Sequence, residues 1–341
     1  MRAGGAAVIV VAALAVAGSA GSARIDRFVL HSLVTDRVDA QLVNPWGLVA
    51  RAGGPWWVAN EARSSSTLYA GGGHKQAMTI AVQGGPTGVV FNGGRGFLLH
   101  GGGDSAPARF LYACEDGMIR AWTPTIPGGW STEAQVVVDS GASGTVFRGL
   151  ALAAGRLYAT DFHNARVLVF DSRWRRVVRR GAFVDRSIPN WYAPFGIQAL
   201  EGRIFVTYAW RAPVNGNDSP SGGYVDEFDL DGRLVARVGR TKELEEPWGL
   251  ALAPAGFGRL GGDLLVANFG SGRINVYERR GRGWTFRGRL PVTVPGVWGI
   301  AFGAGGMSGP RTTLFYAAGP HRWHGATEVD IHGVLGSIAP D

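Results

Sequence analysis

Four oxygen-bearing side chains stand where short apolar runs end. Asn60 follows Trp56-Trp57-Val58-Ala59, and Glu115 comes just after Phe110-Leu111-Tyr112-Ala113. Asp161 follows Leu157-Tyr158-Ala159-Thr160, and Asn268 follows Leu264-Leu265-Val266-Ala267. If those ends converge, their carboxylates and amide carbonyls make the mixed oxygen set that Ca²⁺ takes, about six to eight ligands. His163, two residues beyond Asp161, is then the candidate catalytic base for proton transfer. Asn and Asp at strand ends also hold hairpin turns through side-chain-to-backbone bonds, which is the competing reading. A second set is aromatic. Trp46, Phe195, Trp248 and Trp298 each directly precede a glycine. They are ligand-binding candidates, offering flat apolar faces to a sugar or an aromatic ring. Packing between structural elements is the alternative for them.

Both sets need an architecture that brings distant segments to one place, and a repeat supplies it. Pro45-Trp46-Gly47-Leu48 leads to the run ending at Asn60 and then to Thr67-Leu68-Tyr69. The same succession starts at Pro86, Phe147, Pro194, Pro247 and Val297. The anchor glycines are Gly47, Gly88, Gly149, Gly196, Gly249 and Gly299. The runs are short, partly alternating and bounded by Gly and Asp, which is a strand pattern; no apolar spacing of three and four persists. Repeats of roughly 40–50 residues, each worth about four strands, predict an all-β, six-bladed β-propeller. The chain holds 54 glycines, so glycine alone proves little. Six of them share one local context, with an aliphatic residue after each and often a proline before, and that carries the inference. The glycines suit inner strands that crowd around a central axis.

A closed ring leaves an exposed sheet edge unless its two chain ends share a blade. The segment Ile25 to Val34 precedes the first anchor and has no blade of its own. It is expected to be the outermost strand of the last blade, beside a third strand over residues 332–338. Residues 24–341 then form one domain. Residues 1–23 differ: Arg2, an apolar stretch from Ala6 to Ala17 and a tail of small residues read as a secretory signal peptide. The apolar part is too short for a spanning helix of about 20 residues, and an uncleaved N-terminal anchor is the alternative reading. No later segment is long and apolar enough to span a membrane. The expected location is outside the cell or in the periplasm.

The formal charge is +8, carried almost wholly by arginine. Two clusters stand out, Arg173 to Arg180 and Arg279 to Arg289. They lie in different blades, between third and fourth strands, so they read as solvated outer edges rather than one nucleic-acid groove. Cys114 is the single cysteine, which excludes an internal disulfide, and it sits at a strand end with no activating base beside it. Two insertions, Gly93 to Pro107 and Arg211 to Gly223, read as rim loops where binding often resides. Asp229-Leu230-Asp231-Gly232 lacks the remaining ligands of a calcium loop and reads as a hairpin turn.

The units resemble NHL repeats: Pro-x-Gly-aliphatic, then an aliphatic-Val-Ala-Asp/Asn strand, then an Arg-aliphatic-x-Val-Phe strand. The chain is also similar to a group of uncharacterised secreted bacterial and fungal propeller proteins. The marks are Asn44-Pro45-Trp46-Gly47-Leu48, Asp161-Phe162-His163-Asn164, Ala193-Pro194-Phe195-Gly196-Ile197-Gln198, the run Pro247 to Gly258, and Asn268-Phe269-Gly270. That resemblance covers nearly all of residues 24–341 and implies a six-bladed ring and export. It implies no reaction. Related propellers include calcium-dependent lactonases and streptogramin-type lyases, a link through fold alone. Two functions are therefore expected: a binding module for a small molecule, carbohydrate or protein partner, or a Ca²⁺-dependent hydrolase or lyase with its site at the channel mouth.

Overall fold

The repeat units fold as blades because each offers four short strand segments separated by turn residues. The computed structural model describes residues 27–211, 218–324 and 327–341; for 218–221, 322–324 and 327–330 it describes the backbone alone. The proposed leader, residues 1–23, lies outside the described residues. Six four-stranded antiparallel sheets form a six-bladed β-propeller. Their inner strands, in ring order, are Pro45–Ala50, Pro86–Phe91, Phe147–Ala153, Tyr192–Leu200, Pro247–Leu252 and Val297–Phe302. Cores lie between neighbouring blades. Leu265, Ile274 and Val276 of blade 5, for example, pack with Ile300, Leu314 and Tyr316 of blade 6.

Blade 6 is assembled from both ends of the described chain. Phe28–Thr35 pairs antiparallel with Val334–Pro340, which pairs in turn with Leu314–Ala318. The third strand thus starts at Val334 rather than at His332. His332 and Gly333 are diverted because their carbonyls accept from the backbone N–H groups of Asn44 and Asp36.

One backbone irregularity recurs in all six blades. In five blades the first residue of the inner strand pairs with the last residue of the second strand and the register then slips; in blade 4 the same slip follows Pro194, the third residue of its longer inner strand. In blade 1, Pro45 faces Asn60 but Leu48 faces Val58, so Trp46 and Gly47 bulge. The bulge presses each glycine against the next blade. A β-carbon on Gly47 would lie 2.6 Å from Thr87 O, one on Gly149 2.8 Å from Phe195 O, and one on Gly299 2.5 Å from Trp46 O. None of the six has a positive φ, so space and not backbone conformation demands glycine. The last of these contacts returns to blade 1 and closes the ring.

Chain direction now fixes the faces. Turns entering inner strands and turns leaving second strands share one end of the hub, called the mouth below. The first insertion forms a hairpin, Leu98–Gly101 with Asp104–Pro107, between an inner and a second strand. It therefore lies on the opposite face, where Trp174 Nε1 donates to Leu98 O at 2.9 Å. The second insertion is at the mouth: Trp210 pairs with Ser219 and Arg211 with Asp218, while residues 212–217 lie outside the described residues. Blade 6 adds a second mouth-side hairpin, His321–His324 with Thr327–Ile331. At the outer edge, Arg279 pairs with Glu227 at 2.8 Å and Arg287 with Asp263 at 2.6 Å. Arg287 and Arg289 lie within the outer strand Gly283–Thr293, not before it.

Candidate functional site at the hub mouth

The bulge places one side chain per blade around the axis, directly before each anchor glycine. Around the ring these are Trp46, Thr87, Arg148, Phe195, Trp248 and Trp298. The rings pack on one another. Trp46 and Trp298 stack with centroids 3.6 Å apart, and Phe269 stacks on the other side of Trp298 at 3.7 Å. Phe195 and Trp248 meet Trp46 edge-on at 5.9 and 5.8 Å. These geometries are favourable for aromatic quadrupoles. The result is a plug: Trp46, Phe195 and Trp298 are buried, and Trp248 and Phe269 are half-buried. Beneath it the channel holds a cavity of about 30 Å³, room for a water or two.

Blade 3 puts a charge where four other blades put a ring. Arg148 lies 5.2 Å over Trp46 and 5.8 Å over Phe162, and is only 8% exposed. Its Nη1 donates to Glu115 Oε1. Glu115 belongs to a second ring of positions, one residue beyond the partner of the last pair before each slip: Glu61, Glu115, Phe162, Ala209, Phe269 and Gly319, of which Ala209 alone still lies within its strand. Glu61 Oε2 accepts from Asn44 Nδ2 at 2.7 Å. Asn44 Oδ1 in turn takes the Trp298 indole N–H at 3.0 Å and lies 3.2 Å from His321 Nε2. The mouth thus has a polar side, blades 1 to 3, and an aromatic side, blades 4 to 6.

The polar accounting at the mouth does not close. Three buried N–H groups have no acceptor among the described residues: Trp46 Nε1, Arg148 Nε and Trp248 Nε1. They belong to the same ring position of blades 1, 3 and 5. Trp46 touches both of the other two side chains. Three other buried indoles are satisfied. Trp56 donates to Ser308 O at 2.9 Å, Trp122 to Ser131 O at 3.0 Å, and Trp298 to Asn44. A buried donor without a partner costs about 1–3 kcal/mol.

Comparison with known proteins follows the fold. Uncharacterized protein L690 of Acanthamoeba polyphaga mimivirus is 32% identical over 292 residues, covering 80% of this chain and 76% of the viral protein. Uncharacterized protein R648 of the same virus is 32% identical over 327 residues, covering 89% and 76%. The chain belongs to their family. No family model matches the sequence. Among solved structures, this family member resembles a Bacteroides thetaiotaomicron protein of unknown function (TM-score 0.56, 11% identity, 91% of this chain and 72% of that one). It also resembles virginiamycin B lyase from Staphylococcus aureus (TM-score 0.52, 11% identity, 92% and 99%). The soluble aldose sugar dehydrogenase of Escherichia coli matches similarly (TM-score 0.52, 12% identity, 92% and 100%). At such identities the likeness is one of fold.

In this member of the family, Asn60, Asp161 and Asn268 are fully buried within their own blades. Asn60 Nδ2 donates to Thr67 Oγ1 at 2.9 Å and to Ser65 Oγ at 3.3 Å. Asp161 accepts from Arg166 Nε, Asn164 Nδ2 and Thr145 Oγ1, at 2.9, 2.9 and 3.1 Å. Asn268 Oδ1 accepts from the Glu245 N–H, and its Nδ2 donates to Arg273 O. This donor set fits Ca²⁺ poorly, because most of its oxygens already serve protein N–H and O–H groups. Among the described residues, no three His, Cys, Asp or Glu side chains gather as a metal-holding group. Glu115 stands apart because the residue of its blade equivalent to Asn60 is Cys114, which faces Pro86. Cys114 is buried, and burial pushes its thiol up to about 12. His163 is exposed at the rim, where its carbonyl accepts from Arg211. Sequence reasoning passed over Arg148, Glu61 and Asn44. The available signal was positional: Arg148 precedes an anchor glycine as Trp46 does.

Proposed function

We propose that this protein is a ligand-binding propeller whose site is the hub mouth. The ligand presents an oxygen acceptor to Trp46, Arg148 and Trp248. The observation behind this is the trio of buried, unmatched N–H donors at alternate blades of one ring. An oxygen placed there removes a standing cost of burial, which is a binding free energy available to a ligand. The half-buried faces of Trp248 and Phe269 add apolar contact. The hydrolase or lyase alternative draws only on likeness of fold, and no group here is assigned a bond-breaking role. Export, with residues 1–23 as the leader, belongs to the same proposal, and the mass of protein recovered outside expressing cells tests it.

Ligand-observed NMR with a library of small oxygenated molecules tests the site. Hits should bind the native protein and lose binding in Arg148→Met, which keeps an apolar stem over Trp46 but removes the donors. Hits that bind Arg148→Met and Trp248→Phe as well as they bind the native protein would refute the assignment.

A further inference from the structure

We infer that the occupant of the mouth is an uncharged, hydroxyl-bearing ring, that is, a carbohydrate; this rests on the reading just given. Gly85 is the turn residue before the inner strand of blade 2. It has φ of 68°, a conformation natural to glycine. A β-carbon there would lie 3.4 Å from Glu61 Oε1 and 3.5 Å from Glu115 Oε2. Those two oxygens are the ones left over. Glu61 binds Asn44 through its Oε2, and Glu115 binds Arg148 through its Oε1. Two carboxylate acceptors without described partners therefore face the same gap, within reach of one small molecule.

The mouth offers two complementary sets of groups, buried donors without acceptors and partly exposed carboxylate oxygens open to a ligand. Arg148 and the indoles of Trp46 and Trp248 can only donate, while the carboxylates of Glu61 and Glu115 can only accept. A ligand carboxylate or phosphate would answer the donors but meet two negative charges against one guanidinium. An ammonium or metal cation would answer the carboxylates and leave the donors unmatched. A hydroxyl group both donates and accepts. Several hydroxyls on one ring can serve both sets at once, and the C–H face of such a ring suits the half-buried faces of Trp248 and Phe269. Mixed hydrogen bonding and a flat apolar wall together describe a neutral sugar.

The test is titration of the folded protein with neutral methyl glycosides of glucose, galactose and mannose, alongside glucuronate and glucosamine, read by calorimetry. At least one neutral glycoside should bind, and glucuronate should bind more weakly. Glu61→Gln and Glu115→Gln, each checked for an unchanged melting temperature, should weaken the neutral glycoside by roughly tenfold or more. Preference for glucuronate or glucosamine would overturn the inference. So would neutral binding that neither glutamine variant disturbs. If only non-sugar library members bind and Arg148→Met removes them, the sugar assignment falls while the mouth stands as the site. If nothing binds in either experiment, both fall.

Discussion

The two halves of the hub mouth share one backbone and differ in what hangs from it. In blades 4 to 6 the bulge positions carry Phe195, Trp248 and Trp298, and the rings fill the hub by packing on each other. In blades 1 to 3 the same positions carry Trp46, Thr87 and Arg148, and the next residues along are Glu61, Glu115 and Phe162. The aromatic half is held by ring-on-ring packing, with Trp248 Nε1 as its unmatched donor at this position. The polar half is packed less and charged more: Arg148 is nearly buried, pairs with one carboxylate and keeps a donor unmatched. A repeated scaffold tolerates this because the inner strands are held by ladder pairing and by the cores between blades, while the glycines let them approach one another. Stability and recognition are thereby separated within one ring.

That contrast can be broken experimentally. The largest effect is expected from Trp298→Ala. This residue sits between Trp46 and Phe269 in the stack, and its removal should cost about 3–5 kcal/mol in chemical denaturation. A loss under 1 kcal/mol would mean that the plug is not structural. Next come Gly47→Ala and Gly249→Ala, one in each half. Each pushes a β-carbon into the following blade's backbone, at a cost of about 1–3 kcal/mol. The two values should be alike, because the hub is common to both halves. A large difference between them would show that the halves do not share a scaffold.

A titration sharpens the comparison from outside the mouth. Asp226 of blade 4 is fully buried, bonded to Arg237, and has an Oδ2 without a described partner. Burial raises its pKa to about 7, against the pull of Arg237. A carboxyl raised in the folded state holds its proton more tightly there than in the unfolded chain. Its contribution is therefore fully present below the unfolded value of 3.8 and is lost as pH rises through about 7. Stability should fall across that window by an amount on the order of a few kcal/mol. Asp226→Asn should flatten the slope, and Arg148→Met should leave it unchanged. The reverse pattern would place the responsive carboxylates at the mouth. Smallest of all, Arg148→Met itself should change stability little, since the lost pair with the partly exposed Glu115 is offset by removal of a buried Nε that has no acceptor.

The blades were legible in the sequence because the bulge demands the same short string six times, an x-Gly-aliphatic step that nothing but a crowded hub explains. The site was legible only in part. Asn60, Asp161 and Asn268 looked like mouth residues because they end their strands, but a strand's last side chain here turns into its own hairpin. The residue after it faces the mouth, as Glu61, Phe162 and Phe269 do. Glu115 fell into the right ring because its strand ends one residue earlier, at Cys114. Arg148 was hidden by residue type: a search for aromatics before glycines cannot find the one blade that substitutes a cation. The unmatched donors could not be read from sequence at all, since a hydrogen-bond deficit exists only once every neighbour is placed.

The central claim is that the indoles of Trp46 and Trp248 await an oxygen from outside the chain. Indole ¹⁵N–¹H spectra during ligand titration measure this directly, with Trp56 and Trp122 as internal controls whose N–H groups already have backbone acceptors. The account predicts that the resonances of Trp46 and Trp248 move together with saturation while those of Trp56 and Trp122 stay in place. A saturating ligand that leaves Trp46 and Trp248 unmoved would contradict it.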